Sequence, residues 1–337
     1  MLVDTRIGLK TVGGPPPKIE RTLHLSFAGD WGQANFHRVC AWITQEVCDN
    51  AGRGSTVTTK SLADGGMGAL KDVYEGKTDM CILTPSAHTP AALTGTGIWT
   101  KAGAMPNLRA IGTLPQTDRM MLAVHPKYGV RSWADIHRTK PPLRIVTSTD
   151  DGSSFIGYLA MRFLEAHGLS RELLESWGGE IVDGGYRPEQ CTDKVVAGEA
   201  DCLLQEAIMT PWWRNLVESE LLMPIPAEQP ALDILLKEQG LGAASILAGY
   251  WKTVPDETLA MDFADFALAV RNDLPDDVAY LLAWILINTR SVLETQYLHI
   301  SSERSPLTWP LDPKLMATTH LPLHSAAERF YQEAGLI

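Results

Sequence analysis

The stretch from Leu23 to Val47, LHLSFAGDWGQANFHRVCAWITQEV, constrains the fold most. Its start reads as a buried strand, in which Leu23, Leu25 and Phe27 alternate. Gly29 and Gly32 end that pattern, and Phe36, Val39, Cys40, Ile43 and Val47 then recur at helical spacing. A strand running through a glycine turn into an amphipathic helix is the opening unit of an α/β sheet. In such sheets ligands bind beyond the carboxyl ends of the strands, where helix N-termini begin. The turn Asp30–Phe36 is therefore the first candidate site.

The rest of the chain repeats this grammar. Ser55–Lys60 is a β-rich run, Ala63-Asp-Gly-Gly-Met-Gly turns into a helix closed by Gly76, and Met80–Leu83 is a buried strand. A second cycle follows. Leu122–Val124 and Arg144–Thr147 read as strands, Ser132 as the N-cap of a short helix, and Asp150-Asp-Gly-Ser-Ser as the turn into a helix that Gly168 ends. Tyr74-Glu-Gly-Lys-Thr-Asp-Met-Cys-Ile-Leu and Val196-Ala-Gly-Glu-Ala-Asp-Cys-Leu-Leu are similar in kind and in position within their cycles. Two similar α/β lobes account for this most simply, each a mostly parallel sheet flanked by helices, with a ligand cleft expected between them. The expected division is a flexible leader at 1–20 ending in GGPPPK, lobe 1 at 21–118 plus 266–337, and lobe 2 at 119–265. Phe263–Val270 is expected as one strand, followed by a long helix from Leu274-Pro-Asp-Asp.

The 337 residues suit two domains of ordinary size. A net charge of −11 and the lack of any basic run with interleaved aromatics argue against nucleic acid or an anionic membrane as partner. No apolar run approaches the roughly 20 residues of a membrane span. The five cysteines follow no zinc-like or CxxC spacing, and Cys40, Cys81 and Cys202 sit in apolar runs as buried thiols would. No metal or cofactor is expected, since neither a Walker loop, a GxGxxG nor a GxSxG is present. A metal site drawn from Asp30, His37, His88 and Asp151 has no supporting ligand spacing. The first twenty residues lack the apolar core of about 7–15 residues that a secretory signal needs. The chain thus reads as extracytoplasmic if a signal has been removed and cytoplasmic if Met1 is the native start.

Three segments carry a family resemblance: GGMGALKDVYEGKTDMCIL, LRAIGTLPQTDRMMLAVHPKYGVRSWADI and the terminal LPLHSAAERFYQEAG. With them the chain resembles, over roughly residues 22–335, the TAXI-type solute-binding proteins that serve tripartite TRAP transporters. The resemblance implies a two-lobed periplasmic-binding-protein-like fold of type II, closing over a small, usually anionic organic solute. It also implies membrane transporter subunits as partners and explains His324 as part of the terminal motif. The family's small, hydroxyl-rich first loop is replaced here by Gly29-Asp-Trp-Gly-Gln-Ala-Asn-Phe36. Its TGGS loop becomes Asp64-Gly-Gly-Met67, and its second-lobe loop becomes Thr149-Asp-Asp-Gly-Ser-Ser154.

The candidate ligand-binding residues follow from these loops and strand ends: Asp30, Trp31, Gln33, Asn35 and Phe36; Gly65, Gly66, Met67 and Thr84; Asp151, Gly152, Ser153 and Ser154; Gln205 and Glu206. Helix N-termini and glycines that admit close approach favour a carboxylate or similar oxyanion, with Ser153 and Ser154 as hydroxyl donors. Asp150 and Asp151 read either as N-caps or as ligand contacts, Gln205 and Glu206 as a site edge or a solvated loop. Trp31 is a candidate for stacking; Trp212 and Trp213 cap or pack the second lobe. His37 and His88 are the histidines nearest the expected cleft.

Two functions lead on the sequence; a third, a cytoplasmic ligand sensor, would need a partner domain of which the sequence shows no sign. The preferred one is a non-catalytic receptor whose hinge strands lie near 113–122 and 260–268. The alternative is a cytoplasmic enzyme on the same fold, decarboxylase-like and acting on a small or aromatic acid, with Asp30 and His37 as first candidates for chemistry.

Overall fold

A computed structural model describes residues 11–30, 34–62 and 66–337, with the side chains of Asp30 and Ala34 outside that description. In chain order the elements begin β1 (His24–Asp30), α1 (Ala34–Asn50), β2 (Thr56–Leu62), α2 (Met67–Tyr74), β3 (Met80–Leu83), α3 (Pro90–Thr94) and β4 (Leu108–Leu114). They continue with β5 (Arg119–Val124), α4 (Trp133–Thr139), β6 (Arg144–Thr147), α5 (Phe155–Ala166), α6 (Arg171–Ser176), β7 (Glu180–Asp183), α7 (Pro188–Val196) and β8 (Cys202–Gln205). Then come α8 (Pro211–Glu218), β9 (Met223–Ile225), α9 (Gln229–Gln239), β10 (Ala243–Ile246), β11 (Thr258–Asp262) and β12 (Phe266–Arg271). The chain closes with α10 (Asp276–Asn288), α11 (Arg290–Glu294), α12 (Pro313–Ala317) and α13 (Ser325–Glu333).

The chain divides into two units, 1–117 with 265–337 and 118–264. Unit 1 has a sheet of order β2-β1-β3-β12-β4, in which β1, β2 and β3 are parallel and β12 is antiparallel to β3 and β4. Unit 2 has the order β10-β11-β5-β8-β6-β7, with β9 also on β5; β6, β7 and β8 are parallel and β5 runs antiparallel to β8. Each unit is thus built on the same βαβαβ half, with the first strand between the second and third and an antiparallel strand beside the third.

The duplication reaches single hydrogen bonds. After α2, Gly76 (φ 73°) donates to Val73 O, and Lys77 and Thr78 N–H both reach Asp72 O. After α7, Gly198 (φ 75°) donates to Val195 O, and Glu199 and Ala200 N–H both reach Lys194 O. Glycine suits both positions because the helix C-terminus turns left-handed there. Each turn then places an aspartate before the third strand, and its N–H holds the start of the first: Asp79 N to Ser26 O at 3.2 Å, Asp201 N to Arg144 O at 3.0 Å. Asp79 accepts Ser26 N and Oγ at 2.7 and 2.8 Å. Asp201 accepts Arg144 Nε and Nη2 at 2.7 and 3.0 Å, Tyr128 OH at 2.9 Å and Lys127 Nζ, which hold its carboxyl well below the usual range, Arg144 foremost.

Burial follows the periodicities. The stripe Phe36, Val39, Cys40, Ile43 and Val47 of α1 is buried, as are all four residues of β3 and most of α10. Unit 2 closes around Met121, Val146, Leu203, Trp213 and Trp251. Cys40, Cys81, Cys191 and Cys202 are buried and in no disulfide, and burial pushes Cys40 up to about 12 and Cys191 up to about 11.

Two expectations are corrected. Phe263–Val270 is not one strand: β11 ends at Asp262, and β12 begins at Phe266 in the other unit. Asp265 between them has φ 68°, which breaks an extended run. Residues 11–20 are not a free leader. Val12 N–H donates to Asn288 Oδ1 at 2.7 Å, Gly14 O accepts Trp284 Nε1 at 3.1 Å, and Ile19 N–H reaches Asn50 O at 2.9 Å.

Candidate functional site

In parallel βαβ units the loops after the strands gather at the carboxyl edge of the sheet. In unit 1 that edge holds the ends of β1, β3 and β4 and, because β12 is antiparallel, its beginning. In unit 2 it holds the ends of β6, β7 and β8 and the beginning of β5. The chain passes from one unit to the other at Thr117–Asp118 and Ala264–Asp265, residues of these same edges.

Among the candidates of unit 1, Trp31, Gln33 and Gly65 lie outside the described residues, as does the side chain of Asp30. Asn35 is tied down: its Nδ2 donates to Pro306 O at 3.2 Å, and its Oδ1 accepts the Tyr297 hydroxyl. Phe36 is buried and meets Phe266 edge-on, ring centroids 5.1 Å apart. Gly66 precedes α2 at φ 89°, a conformation that requires its missing side chain, and Met67 is buried as the first helical residue. Thr84 follows β3 directly; its hydroxyl accepts Gln116 Nε2 at 3.2 Å. Gln116 N–H donates to Asp265 Oδ1 and Ser86 N–H to Asp265 O, both at 3.1 Å. One cluster thus joins the ends of β3 and β4 to the start of β12. Gln116 and Asp265 were not legible in the sequence, since topology alone brings them together. His88 is buried in the turn Ser86–His88, and His37 is exposed on α1, beside Ala41 and Thr44 and facing Thr59 and Ser61 of β2.

In unit 2 the loop after β6 is closed on itself. Asp151 Oδ1 accepts Ser153 N and Oγ at 2.9 and 2.6 Å, and Oδ2 accepts the Tyr186 hydroxyl at 2.7 Å. These donors, Ser153 first, hold the Asp151 carboxyl below its usual range, and the hydrogen bond to Asp151 in turn raises the Tyr186 hydroxyl. The N-cap of α5 is neither Asp150 nor Asp151 but Ser154, fully buried, whose Oγ accepts Gly157 N at 3.5 Å. Gly152 turns the loop at φ 83°. The oxyanion that this loop now holds is its own.

Gln205 and Glu206 form no solvated loop. Gln205 Nε2 donates to Ser148 Oγ at 3.0 Å and Cys191 Sγ at 3.4 Å, and its Oε1 accepts Glu206 N at 2.9 Å. Glu206 is 5% exposed, and its carboxyl hydrogen-bonds that of Asp118, 4% exposed. Asp118 also accepts Arg119 N at 2.7 Å, Ala207 N at 2.9 Å and Ile208 N at 3.1 Å. Burial raises the Asp118 carboxyl despite these donors, and two carboxyls in contact share a proton. Ala207 has φ 63°, a strained geometry that the Asp118 carboxylate holds through the Ala207 amide. Trp213 is buried, stacks with Trp251 at 6.0 Å and donates Nε1 to Glu206 O at 2.7 Å; Trp212 is half-buried. Among the described residues no group of three His, Cys, Asp or Glu side chains is arranged to hold a metal ion.

Two sheets, each with its loops gathered at one edge and joined by two crossings of the chain, define the fold of the periplasmic binding proteins. The chain belongs to the NMT1-like family, whose profile matches residues 37–335. Its fold is similar to that of the periplasmic binding protein BugD, at 10% identity, TM-score 0.52, over 93% of this chain and 98% of that one. A protein of Bordetella bronchiseptica RB50 is similar at 14% identity and TM-score 0.51, over 94% and 99%. MatC from Rhodopseudomonas palustris, solved with bound malate, aligns at 12% identity and TM-score 0.49, over 94% and 97%.

Proposed function

We propose that this protein is an extracytoplasmic solute receptor of the TAXI type, binding a small carboxylate-bearing ligand and presenting it to a TRAP-type transporter. The observation that carries the reading is the duplicated βαβαβ half, whose loops reach the carboxyl edge of each sheet, in a chain matched to its family almost throughout. No helix among the described residues is long and apolar enough to cross a membrane, which suits a receptor that relies on separate membrane subunits.

In unit 2 the loop Thr149–Ser154 is the proposed ligand contact. Ser153 Oγ and the Tyr186 hydroxyl already hold a carboxylate there, that of Asp151, so the donor geometry for a carboxylate exists. A ligand carboxylate would take these donors as Asp151 swings aside. In unit 1 the contacts are assigned to Asp30, Trp31, Gln33, Asn35, Phe36, Gly65, Gly66, Met67 and Thr84, and Gly152, Gln205 and Glu206 complete those of unit 2. A thermal-shift panel of small carboxylates, amines and aromatic acids tests the ligand class. Saturation at a hundred times Kd stabilises by about 2.7 kcal/mol. Stabilisation by amines with none by carboxylates refutes the carboxylate assignment.

The Asp118–Glu206 pair favours a second reading, an enzyme on this fold acting on a small or aromatic acid, because a proton-sharing carboxyl pair is suited to acid–base work. Consumption of the best ligand by purified protein, lost in Glu206→Gln with binding retained, would establish it.

A further inference from the structure

Strand β2 forms one edge of the unit 1 sheet, with β1 alone beside it. Its orientation follows from one hydrogen bond. Thr56 N–H donates at 2.8 Å to the carbonyl of Leu23, the residue just before β1, so Thr56, Thr58 and Lys60 turn their backbone groups toward β1. Val57, Thr59 and Ser61 turn theirs outward, and among the described residues no hydrogen bond meets them. Sheet edges are ordinarily guarded by a lysine, a proline, a bulge or a covering element. Here the register with β1 runs unbroken over seven residues without proline. The one lysine is turned away: Lys60 Nζ is held by Lys77 O at 2.8 Å and Thr78 Oγ1 at 3.0 Å.

Beside this edge runs a groove of about 610 Å³, lined by Thr59 and Ser61 and by a stripe of α1 that includes His37, Ala41, Thr44 and Cys48. The stripe, twelve residues from His37 to Cys48, is about 16 Å long, the span of about five extended residues. The Thr44 hydroxyl is buried there with no hydrogen-bond partner.

We infer that a second copy of this chain pairs with β2, antiparallel, about a two-fold axis at Thr59. Thr59 is the middle residue of TVTTKSL, so among registers centred on an outward-facing residue this one alone pairs all seven residues of the strand. Thr59 falls opposite Thr59, Val57 opposite Ser61, Thr58 opposite Lys60, and Thr56 opposite Leu62. No charge meets a like charge, and the central Thr–Thr pair is a favourable cross-strand pair. The outward groups of Val57, Thr59 and Ser61 form about six inter-chain hydrogen bonds in this register. Side chains of paired residues share a face, so Val57 and Thr59 of the second copy flank the groove beside Thr44. The −11 net charge of each copy opposes the pairing, so salt strengthens it by shortening the screening length from about 10 Å to about 3 Å.

Sedimentation equilibrium and light scattering at rising concentration, to about 1 mM and at low and high salt, test this with two variants. Thr59→Pro removes an N–H that points away from β1, leaving the β1–β2 ladder whole. Thr59→Lys sets two ammonium groups face to face. Wild type should pass from monomer to dimer, more completely in high salt, while both variants stay monomeric with wild-type circular dichroism and melting. Wild type that remains monomeric at the upper limit in high salt overturns the inference, as does a folded variant that dimerises like wild type. Should Thr59→Pro fail to fold, Thr59→Lys, at an exposed position, decides alone.

Discussion

Replacing Asp118 by alanine tests how the carboxyl edge of unit 2 is held. The Asp118 carboxylate accepts three backbone N–H groups, from Arg119, Ala207 and Ile208, in a setting 4% exposed to solvent. A buried donor left without a partner costs about 1–3 kcal/mol. Some relaxation toward water at the edge brings three of them to about 3–6 kcal/mol, a large share of a stability of about 5–15 kcal/mol. Ala207 at φ 63° would also relax, removing the strain that the carboxylate now offsets. Glu206→Gln keeps a donor toward Asp118 and should cost no more than about 1 kcal/mol. Urea unfolding followed by tryptophan fluorescence is the assay, since Trp213 donates to Glu206 O and stacks on Trp251. The pH dependence adds a second readout. A carboxyl raised above its ordinary value, as Asp118 is by burial, stabilises fully below that value and progressively less as pH rises past about 4. Glu206→Gln should flatten that decline, because one charge with several donors then remains. An Asp118→Ala protein within about 1 kcal/mol of wild type would refute the argument.

Two further predictions concern unit 2. His167 stacks on Trp133 at 4.1 Å, its Nδ1–H donates to Phe163 O at 2.8 Å and its Nε2 accepts Glu228 N at 3.0 Å, so it is held neutral. Burial lowers it from 6.5 to about 4; the stability this provides is complete above pH 6.5 and is lost as pH falls toward 4, by about 3 kcal/mol. Denaturant midpoints of wild type across that window should drop, whereas His167→Phe should show a shallower acid limb; an unchanged limb contradicts the assignment. Asp151→Ala frees Ser153 Oγ and the Tyr186 hydroxyl and should tighten binding of a small carboxylate by about tenfold in calorimetric titration, about 1.4 kcal/mol. Weaker binding would mean that Asp151 itself contacts the ligand.

The elements legible in the sequence were those with local period. The Phe36–Val47 stripe, the Ser132 cap, the Gly76 and Gly198 turns and β6 all declare themselves within a few residues, because each depends on its own neighbours. The break at Asp265 was hidden, since Phe263 to Val270 is apolar but for that one residue, and nothing local shows that it turns left-handed. The N-cap of α5 was misplaced for a similar reason: four of the five residues 150–154 can each cap a helix, and Asp151 is instead drawn to Tyr186, thirty-five residues away, while Ser154 caps. Asp118 carried no local signal at all. Beyond its neighbour Arg119, it gains its partners only once β5 lies antiparallel to β8 and brings it to Glu206, Ala207 and Ile208.

The central claim, reversible capture of a small carboxylate without turnover, is tested most directly by calorimetric titration of a carboxylate panel into the full chain, with the ligand recovered and assayed afterwards. The expected result is saturable binding of at least one small carboxylate, a ligand returned unchanged, and tighter binding by Asp151→Ala. Binding confined to amines, or a carboxylate consumed during the titration, would contradict it.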